Sequence, residues 1–434
     1  MRKIFLGCLF LMLSTVTIQA RDLTLQQALD LAEQHSFILK KARANNSAAQ
    51  HELKAAGAER FPTLSLAGNA SYISKTAEMD INIPNLVSLQ REIGSKERYQ
   101  TDLRMTVPLF TGGKISSGID IASASVQYAE ALVQAGQDQI DYMTRLEYLN
   151  LHRSDRMVEA ALAAQKRTSI ISDNVKSLYE AGTADSVDLL EARLAVSKAQ
   201  LAVDQAQTGR RSSEIRLATL LGLETSESLN VMDKFPEPSL EKSPSTLSDS
   251  KPELIAAEAN ILLMKSRRQL ARSDYWPSLN AYGGYSYGKP NIDQFNASWN
   301  GYWTVGANLS WSLNLFGKTA GKTQAQQYYL EAARSDRDQT RENLEKDINL
   351  NFEQMSLAYA AYQNAREQYK IAEDRYRLAR QQHSNGVLTT NRLLETEADL
   401  TAAEALLAAA EADFYIAQSS YFYALGSDKI GKGF

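Results

Sequence analysis

Cysteine is nearly missing from this 434-residue chain, the one copy being Cys8. That excludes a disulfide framework, a thiolate metal site and a cysteine nucleophile, so the protein must hold itself together by packing alone. Histidine is almost as scarce. His35, His51, His152 and His383 stand far apart, with neither a His-Glu-x-x-His spacing nor a three-ligand cluster. There is no phosphate loop and no serine elbow, and Gly283-Gly284 falls in an alternating segment where small residues ease strand curvature. An enzyme, a cofactor site and a metal site are therefore not expected. Basic charge is not in excess either: 47 Lys and Arg face 51 Asp and Glu, so nothing asks for nucleic acid. After residue 20 no apolar run approaches the roughly twenty residues that a membrane helix needs. If the chain crosses a membrane, it does so as a β-barrel.

The first twenty residues read as a secretory signal peptide. Arg2 and Lys3 precede an apolar run from Ile4 to Leu13, and a short polar stretch ends in Ala20. Removal after Ala20 takes Cys8 with it, and Cys8 comes too early in the apolar core to serve as a lipid-attachment residue. The remaining balance is 45 basic against 51 acidic residues.

Internal repetition organises the rest. Phe61-Pro62-Thr63-Leu64 matches Trp276-Pro277-Ser278-Leu279, with the prolines 215 positions apart. Gly182 matches Gly386, Leu189-Leu190-Glu191 matches Leu393-Leu394-Glu395, and Leu221-Gly222 matches Leu425-Gly426, all at a separation of 204. The expected organisation is a first repeat over 21–222, a surface segment rich in Ser, Pro and acidic residues over 223–250, a second repeat over 251–426 and a tail over 427–434. Each repeat reads helix, strand, loop, strand, very long helix, turn, long helix. Thr24 with Gln27 predicts a capping box for a helix from Leu25 to Arg60, and Ser250 with Glu253 predicts its counterpart, with Pro252 in the first turn.

Four segments of about ten residues alternate apolar and polar positions, the signature of strands with one dry face and one wet face. They start near Thr63, Thr101, Leu279 and Trp303. Tyr72, Tyr285, Tyr287, Trp303 and Trp311 are expected to form a membrane aromatic belt, and all four tryptophans lie on or beside the second strand pair. A soluble sandwich with core tryptophans would use similar strands. Four strands are too few to close a barrel, for which about eight is the usual minimum, so a membrane reading requires several chains to share one barrel.

After each strand pair comes a stretch almost free of breakers, about Lys114 to Glu180 and about Thr319 to Asn385, on the order of 100 Å long as a helix. The returning helix of the second repeat carries Leu393, Leu400, Leu407, Phe414 and Tyr421 at sevenfold spacing, with Thr396, Ala403, Ala410, Ala417 and Ala424 three residues after each. The first repeat answers with Leu189, Val196, Val203, Arg210 and Leu217. Such large-small seams pack as coiled coils. On the helices alone, a periplasmic coiled-coil adaptor or structural scaffold remains the alternative to a channel wall.

Taken together these residues resemble the TolC-type outer-membrane efflux family over essentially the whole mature chain. The carriers are Leu23-Thr24-Leu25 with Ala28-Leu29, Phe61-Pro62, Val107-Pro108-Leu109-Phe110 with Gly112-Gly113, Asp188 to Arg193 after Gly182, and Lys251-Pro252-Glu253-Leu254. Two departures stand out: His35-Ser36 replaces a frequent Asn-Pro step, and the turn from Gly386 to Glu395 is divergent. The resemblance implies a mainly α protein with membrane β-structure, forming a homotrimer with a twelve-stranded barrel in outer-membrane lipid that continues as a long α-helical coiled-coil barrel in the periplasm. It implies a periplasmic adaptor (membrane fusion protein) and an inner-membrane transporter as partners. It also implies a constriction at the periplasmic tip, here Asp188, Glu191, Arg392 and Glu395, with the turns at Gly182 and Gly386 meeting the adaptor. Arg392 stands where an acidic residue is expected, and a cation there would pair with Asp188 or Glu191 of its own or a neighbouring chain.

Overall fold

The computed structural model describes residues 21–84, 87–240, 246–293, 295 and 298–426, so the signal segment 1–20 and the tail 427–434 lie outside it. In chain order the elements are β1 (Arg21–Leu23), α1 (Leu25–His35), α2 (Phe37–Ala58), β2 (Thr63–Tyr72), β3 (Ala77–Ile83), β4 (Val87–Ile93), β5 (Glu97–Phe110), α3 (Lys114–Glu180), α4 (Ser186–Leu221), β6 (Leu229–Val231), α5 (Pro252–Ser273), β7 (Ser278–Lys289), β8 (Asn300–Ser310), α6 (Lys318–Ser384) and α7 (Thr390–Leu425).

The duplication is visible residue by residue. α2 and α5 are both 22 residues long and start 215 positions apart. α3 and α6 are both 67 residues long, α4 and α7 both 36, and each pair starts 204 apart. The change of 11 falls between α2 and α3, where the first repeat carries a hairpin, β3 with β4, that the alternation pattern did not reveal. A second unforeseen pairing joins β1 to β6 in parallel.

The helix expected from Leu25 to Arg60 is two helices. Ser36 breaks it, adopting φ −50° and ψ 117°; its N–H still donates to Ala32 O at 2.8 Å, while its Oγ accepts from the Leu39 N–H at 3.1 Å. One serine thus ends α1 and caps α2, a role its short side chain suits. The Thr24–Gln27 capping box is present. The expected Ser250 cap is not. α5 begins at Pro252, whose missing N–H suits the first helical position, so the cap position falls on Lys251 and the Ser250 hydroxyl bonds Ser248 instead.

The chain divides into two compact units, one holding the described parts of Met1–Lys41, Val133–Pro252 and Arg341–Phe434, the other Ala42–Leu132 and Glu253–Thr340. The first is helical and contains the main cores. Leu25, Ala28, Leu29 and Ala32 of α1 pack on Ile140, Tyr148 and Leu151 of α3 and Leu217, Ala218 and Leu221 of α4. Leu149 of α3 joins Ile348 and Met355 of α6 and Phe414, Tyr415 and Tyr421 of α7. The heptad seam of α7 is the reason. Leu393, Leu400, Phe414 and Tyr421 are each at most 4% exposed, and Ala403, Ala410 and Ala424 are buried beside them. Each such large side chain contributes on the order of 1.5–3 kcal/mol of burial.

The inter-repeat segment is mostly exposed or half-buried in its described part, and a few of its residues anchor it to this unit. Leu229 is fully buried. Asp233 accepts from the Leu25 N–H and the Tyr148 hydroxyl, both at 2.6 Å, and Phe235 lies between His152 and Tyr415 at 4.4 and 5.2 Å. A serine- and proline-rich composition hid a few anchors that tie α1, α3 and α7 together.

Candidate functional site

The second unit holds a four-stranded antiparallel sheet in the order β2-β5-β7-β8, besides the β3-β4 hairpin. Its register makes the two faces chemically distinct. One row across all four strands is Leu66, Leu103, Tyr285 and Trp303, and the next is Leu64, Met105, Gly283 and Val305. On the opposite face the rows read Ser65, Arg104, Gly284, Thr304 and Ala67, Asp102, Ser286, Tyr302. The apolar face is uncovered: Leu66 is 73% exposed, Trp303 75% and Val305 77%. Isolated exposed hydrophobes mean little, but a continuous face of them marks an interaction with something apolar.

Aromatic rings bracket this face. Trp299 stacks on Tyr99 and Tyr287 at one end of the strands, and Tyr72, the last residue of β2, is on the same face. At the other end lie Phe110 and Trp311, the latter one residue beyond β8 with its Nε1 donating to Tyr275 O at 3.2 Å. Of the five belt residues expected from sequence, Tyr72, Tyr287 and Trp311 fall near strand ends, whereas Tyr285 and Trp303 sit side by side within the sheet. Tyr287 lies eight positions along β7 from Leu279, about 26 Å along the strand.

The two helical turns are copies of one another. Gly182 and Gly386 adopt φ +75° and +74°, where a side chain would be strained. At each turn the glycine N–H reaches back three residues, to Tyr179 O and His383 O, and the next N–H reaches back five, to Leu178 O and Gln382 O, all at 2.9 Å. This is the Schellman closure of a helix. Asp185 and Thr389 then cap the returning helices by accepting from the backbone N–H of Asp188 and Arg392. Asp188 and Arg392 are thus equivalent positions, as are Glu191 and Glu395. Within one protomer Arg392 pairs with Glu395 of its own helix, at 2.6 Å, both side chains about half exposed. The pairing of Arg392 with Asp188 or Glu191 is not made within the protomer's described ion pairs.

What does join the two hairpins is a cluster and an ion network that sequence reading missed. Ile171 and Val175 of α3, Ala192 of α4, Ala379 of α6 and Leu393 of α7 form one buried core near the turns. Next to it Arg167 of α3 crosses to α7, where its Nη1 and Nη2 engage Glu404 at 3.1 and 2.8 Å, Nε engages Glu397 at 3.2 Å and Nη2 donates to Thr401 at 3.1 Å. The Thr401 hydroxyl in turn donates to Glu397. The three charged side chains are 18%, 9% and 19% exposed. Burial alone would lower the Arg167 pKa, but the Glu404 hydrogen bond and the two carboxylates outweigh it and hold the guanidinium charged. The available signal was the spacing of Glu397 and Glu404, seven apart on a helix whose seam is otherwise apolar.

Arg210, the odd member of the first seam, is explained in the same way. It bonds Asp155 of α3, Glu214 at 2.6 Å and Leu229 O at 2.9 Å. Burial would raise the Glu214 carboxyl, yet Arg211, the Leu229 N–H, Ser228 and Arg210 hold it below its ordinary range.

Among the described residues no helix is long and apolar enough to cross a membrane, and no group of three metal-ligating side chains converges. Comparison with known proteins agrees with the duplicated, mainly helical fold. The profile of the family described as outer membrane efflux protein matches residues 28–223 and 244–427, one match per repeat. The outer membrane protein TolC of Escherichia coli K12 is 19% identical over 222 residues, 51% of this chain, and the matched stretch spans only 45% of TolC. In fold, the chain resembles the outer membrane protein VceC of Vibrio cholerae, with a TM-score of 0.74, 18% identity and coverage of 93% of this chain and 96% of VceC. It likewise resembles the Neisseria gonorrhoeae outer membrane channel MtrE, solved in an open state, with a TM-score of 0.75, 17% identity and coverage of 93% and 89%. With the family profile covering both repeats, the chain belongs to the outer membrane efflux protein family, and its place is the outer membrane.

Proposed function

We propose that this chain is one protomer of an exit duct that carries substrates from an inner-membrane transporter and a periplasmic adaptor out through the outer membrane. The observation that carries the proposal is the four-stranded sheet with one exposed apolar face, one polar face and two edges, β2 and β8, that have no partner strand in the described protomer. Open edges in lipid leave backbone groups unsatisfied at several kcal/mol each, so neighbouring copies must pair them. Three copies give twelve strands, enough for a barrel with the apolar face to lipid and the polar face to an aqueous lumen. The 67-residue helices α3 and α6, about 100 Å each, then suit a duct wall reaching through the periplasm.

In this reading the turns at Gly182 and Gly386 meet the adaptor, and Asp188, Glu191, Arg392 and Glu395 line the tip. MtrE is described in an open state, and a gate is carried over to this chain on that ground. Arg167 with Glu397 and Glu404 is the stronger lock, because it bridges hairpins, whereas Arg392 is engaged within its own helix.

The test is fractionation and conductance. The full-length protein is expected in detergent-extracted outer membranes, with a trimeric mass by native mass spectrometry and with ion conductance in planar bilayers. Recovery in the buffer-soluble periplasmic fraction as a monomer without conductance would refute the duct and favour the adaptor or scaffold.

A further inference from the structure

At the end of the sheet where β5 and β8 finish and α5 leads into β7, an open depression of about 840 Å³ is lined by Phe110, Arg272, Tyr275, Trp276, Pro277 and Trp311. It continues the apolar face, since Phe110 registers with Leu279 and Leu279 with Leu309. Its walls are fixed. Trp311 is tied to Tyr275 O, and the Tyr275 and Trp276 N–H groups fold back on Arg272 O and Ser273 O, both at 3.1 Å. Gly112, at φ +61°, lets the neighbouring turn close under the indole, because a Cβ there would stand 2.6 Å from Trp276 Cβ. Yet the rings are not covered: Phe110 is 47% exposed, Trp311 57% and Trp276 63%.

Charge completes the picture. Arg272 is in the last turn of α5, and among the described residues no ion pair or side-chain hydrogen bond engages its guanidinium. The adjoining depression is lined by Lys114, Arg267 and Lys322 with Asp274, and Asp274 accepts from Lys322 at 3.4 Å. Three cations and one carboxylate thus line the depression that adjoins the aromatic one, and Arg272 is the cation of the aromatic one itself. An apolar floor bordered by a guanidinium matches a molecule with hydrocarbon chains and a phosphate, because the planar fork engages phosphate oxygens in pairs.

We infer that this depression binds a glycerophospholipid of the periplasmic leaflet, its acyl chains against Phe110, Trp276 and Trp311 and its phosphate on Arg272. The inference rests on the outer-membrane duct reading. The bound lipid would fix the depth of the barrel in the bilayer at the point where strands become helices. Loss of the interfacial cation together with its phosphate hydrogen bonds is expected to lower retention about tenfold.

The test uses the full-length protein in detergent with added 1-palmitoyl-2-oleoylphosphatidylglycerol, and lipids retained per trimer are counted by native mass spectrometry. Wild type is expected to retain lipid, Arg272→Gln about tenfold less, and Arg272→Lys clearly more than Arg272→Gln. Dioleoylglycerol, which has chains without phosphate, is expected not to be retained, and excess inorganic phosphate is expected not to displace the lipid. Equal retention by Arg272→Gln and wild type overturns the inference. So do loss from Arg272→Lys as deep as from Arg272→Gln, retention of dioleoylglycerol, or displacement by phosphate alone. Trimer mass and conductance of Arg272→Gln are expected to match wild type. Absent conductance in the wild type itself would instead strike at the duct.

Discussion

Replacing Arg167 by Met removes the cation that holds Glu397 and Glu404 together and leaves two poorly solvated carboxylates facing one another. Breaking a buried pair from one side costs about 3–5 kcal/mol. Because Arg167 and Glu404 keep 18% and 19% of their side-chain exposure, solvent screening reduces this to about 2–3 kcal/mol per protomer. If the tip opens by separating α3 from α7, wild type loses this bridge on opening and the variant has none to lose. The opening equilibrium then shifts by about thirty- to a hundredfold per protomer, at 1.4 kcal/mol for each factor of ten. Single-channel recording in planar bilayers should show a much higher open probability, and thermal denaturation should show a lower midpoint. Two effects can be told apart with the triple variant Arg167→Met, Glu397→Gln, Glu404→Gln. Removing the whole network restores folding stability, since buried ion pairs replaced entirely are often neutral, but it does not restore the closed state. An Arg167→Met channel with wild-type open probability would refute the lock. A triple variant with wild-type gating would assign the effect to unpaired charge rather than to the lost link.

Three further outcomes are expected. The pair Arg392→Ser with Asp188→Ala should give a more conductive channel in planar bilayers; unchanged conductance would remove these residues from the gate and leave the duct standing. Trp303→Arg, on the apolar face, should cost roughly 2–4 kcal/mol of barrel stability and reduce yield in the outer membrane, whereas Thr304→Arg on the polar face should be tolerated; equal yields would invert the assignment of the faces. Burial, with repulsion from Glu33, Asp138 and Asp30, pushes the Asp141 carboxyl up to about 6 despite the attraction of Arg145. The folded protein therefore binds this proton more tightly than the unfolded chain, and stability falls as pH rises from about 4 to about 6. Asp141→Asn should recover about 1–2 kcal/mol above pH 6, after allowance for partial exposure, and little near pH 4. Melting curves at the two pH values check this, and a stabilisation independent of pH would refute it.

The fold was legible wherever periodicity was long and uninterrupted. The helices Lys114–Glu180 and Lys318–Ser384 and the four long strands emerged close to their final bounds, because each is governed by a repeating local pattern. The Ser36 break was not legible, since one hydroxyl ending one helix and starting another looks like any helical serine. Nor was the hairpin of β3 and β4, whose short strands sit in a stretch read as loop.

The sequence by itself determined the duplication, the strand faces and the coiled-coil seams, because hydrophobic period and glycine position are properties of a few consecutive residues. Only the tertiary structure decided which charges matter. Arg392 looked decisive because it stood at an unusual place in a motif, and it bonds a residue three positions away. Arg167 looked ordinary, and it joins α3 to α7 across 230 residues to Glu397 and 237 to Glu404. Two or three kcal/mol between distant side chains depends on which helix faces arrive together and on how much water they exclude. No stretch of sequence records either quantity.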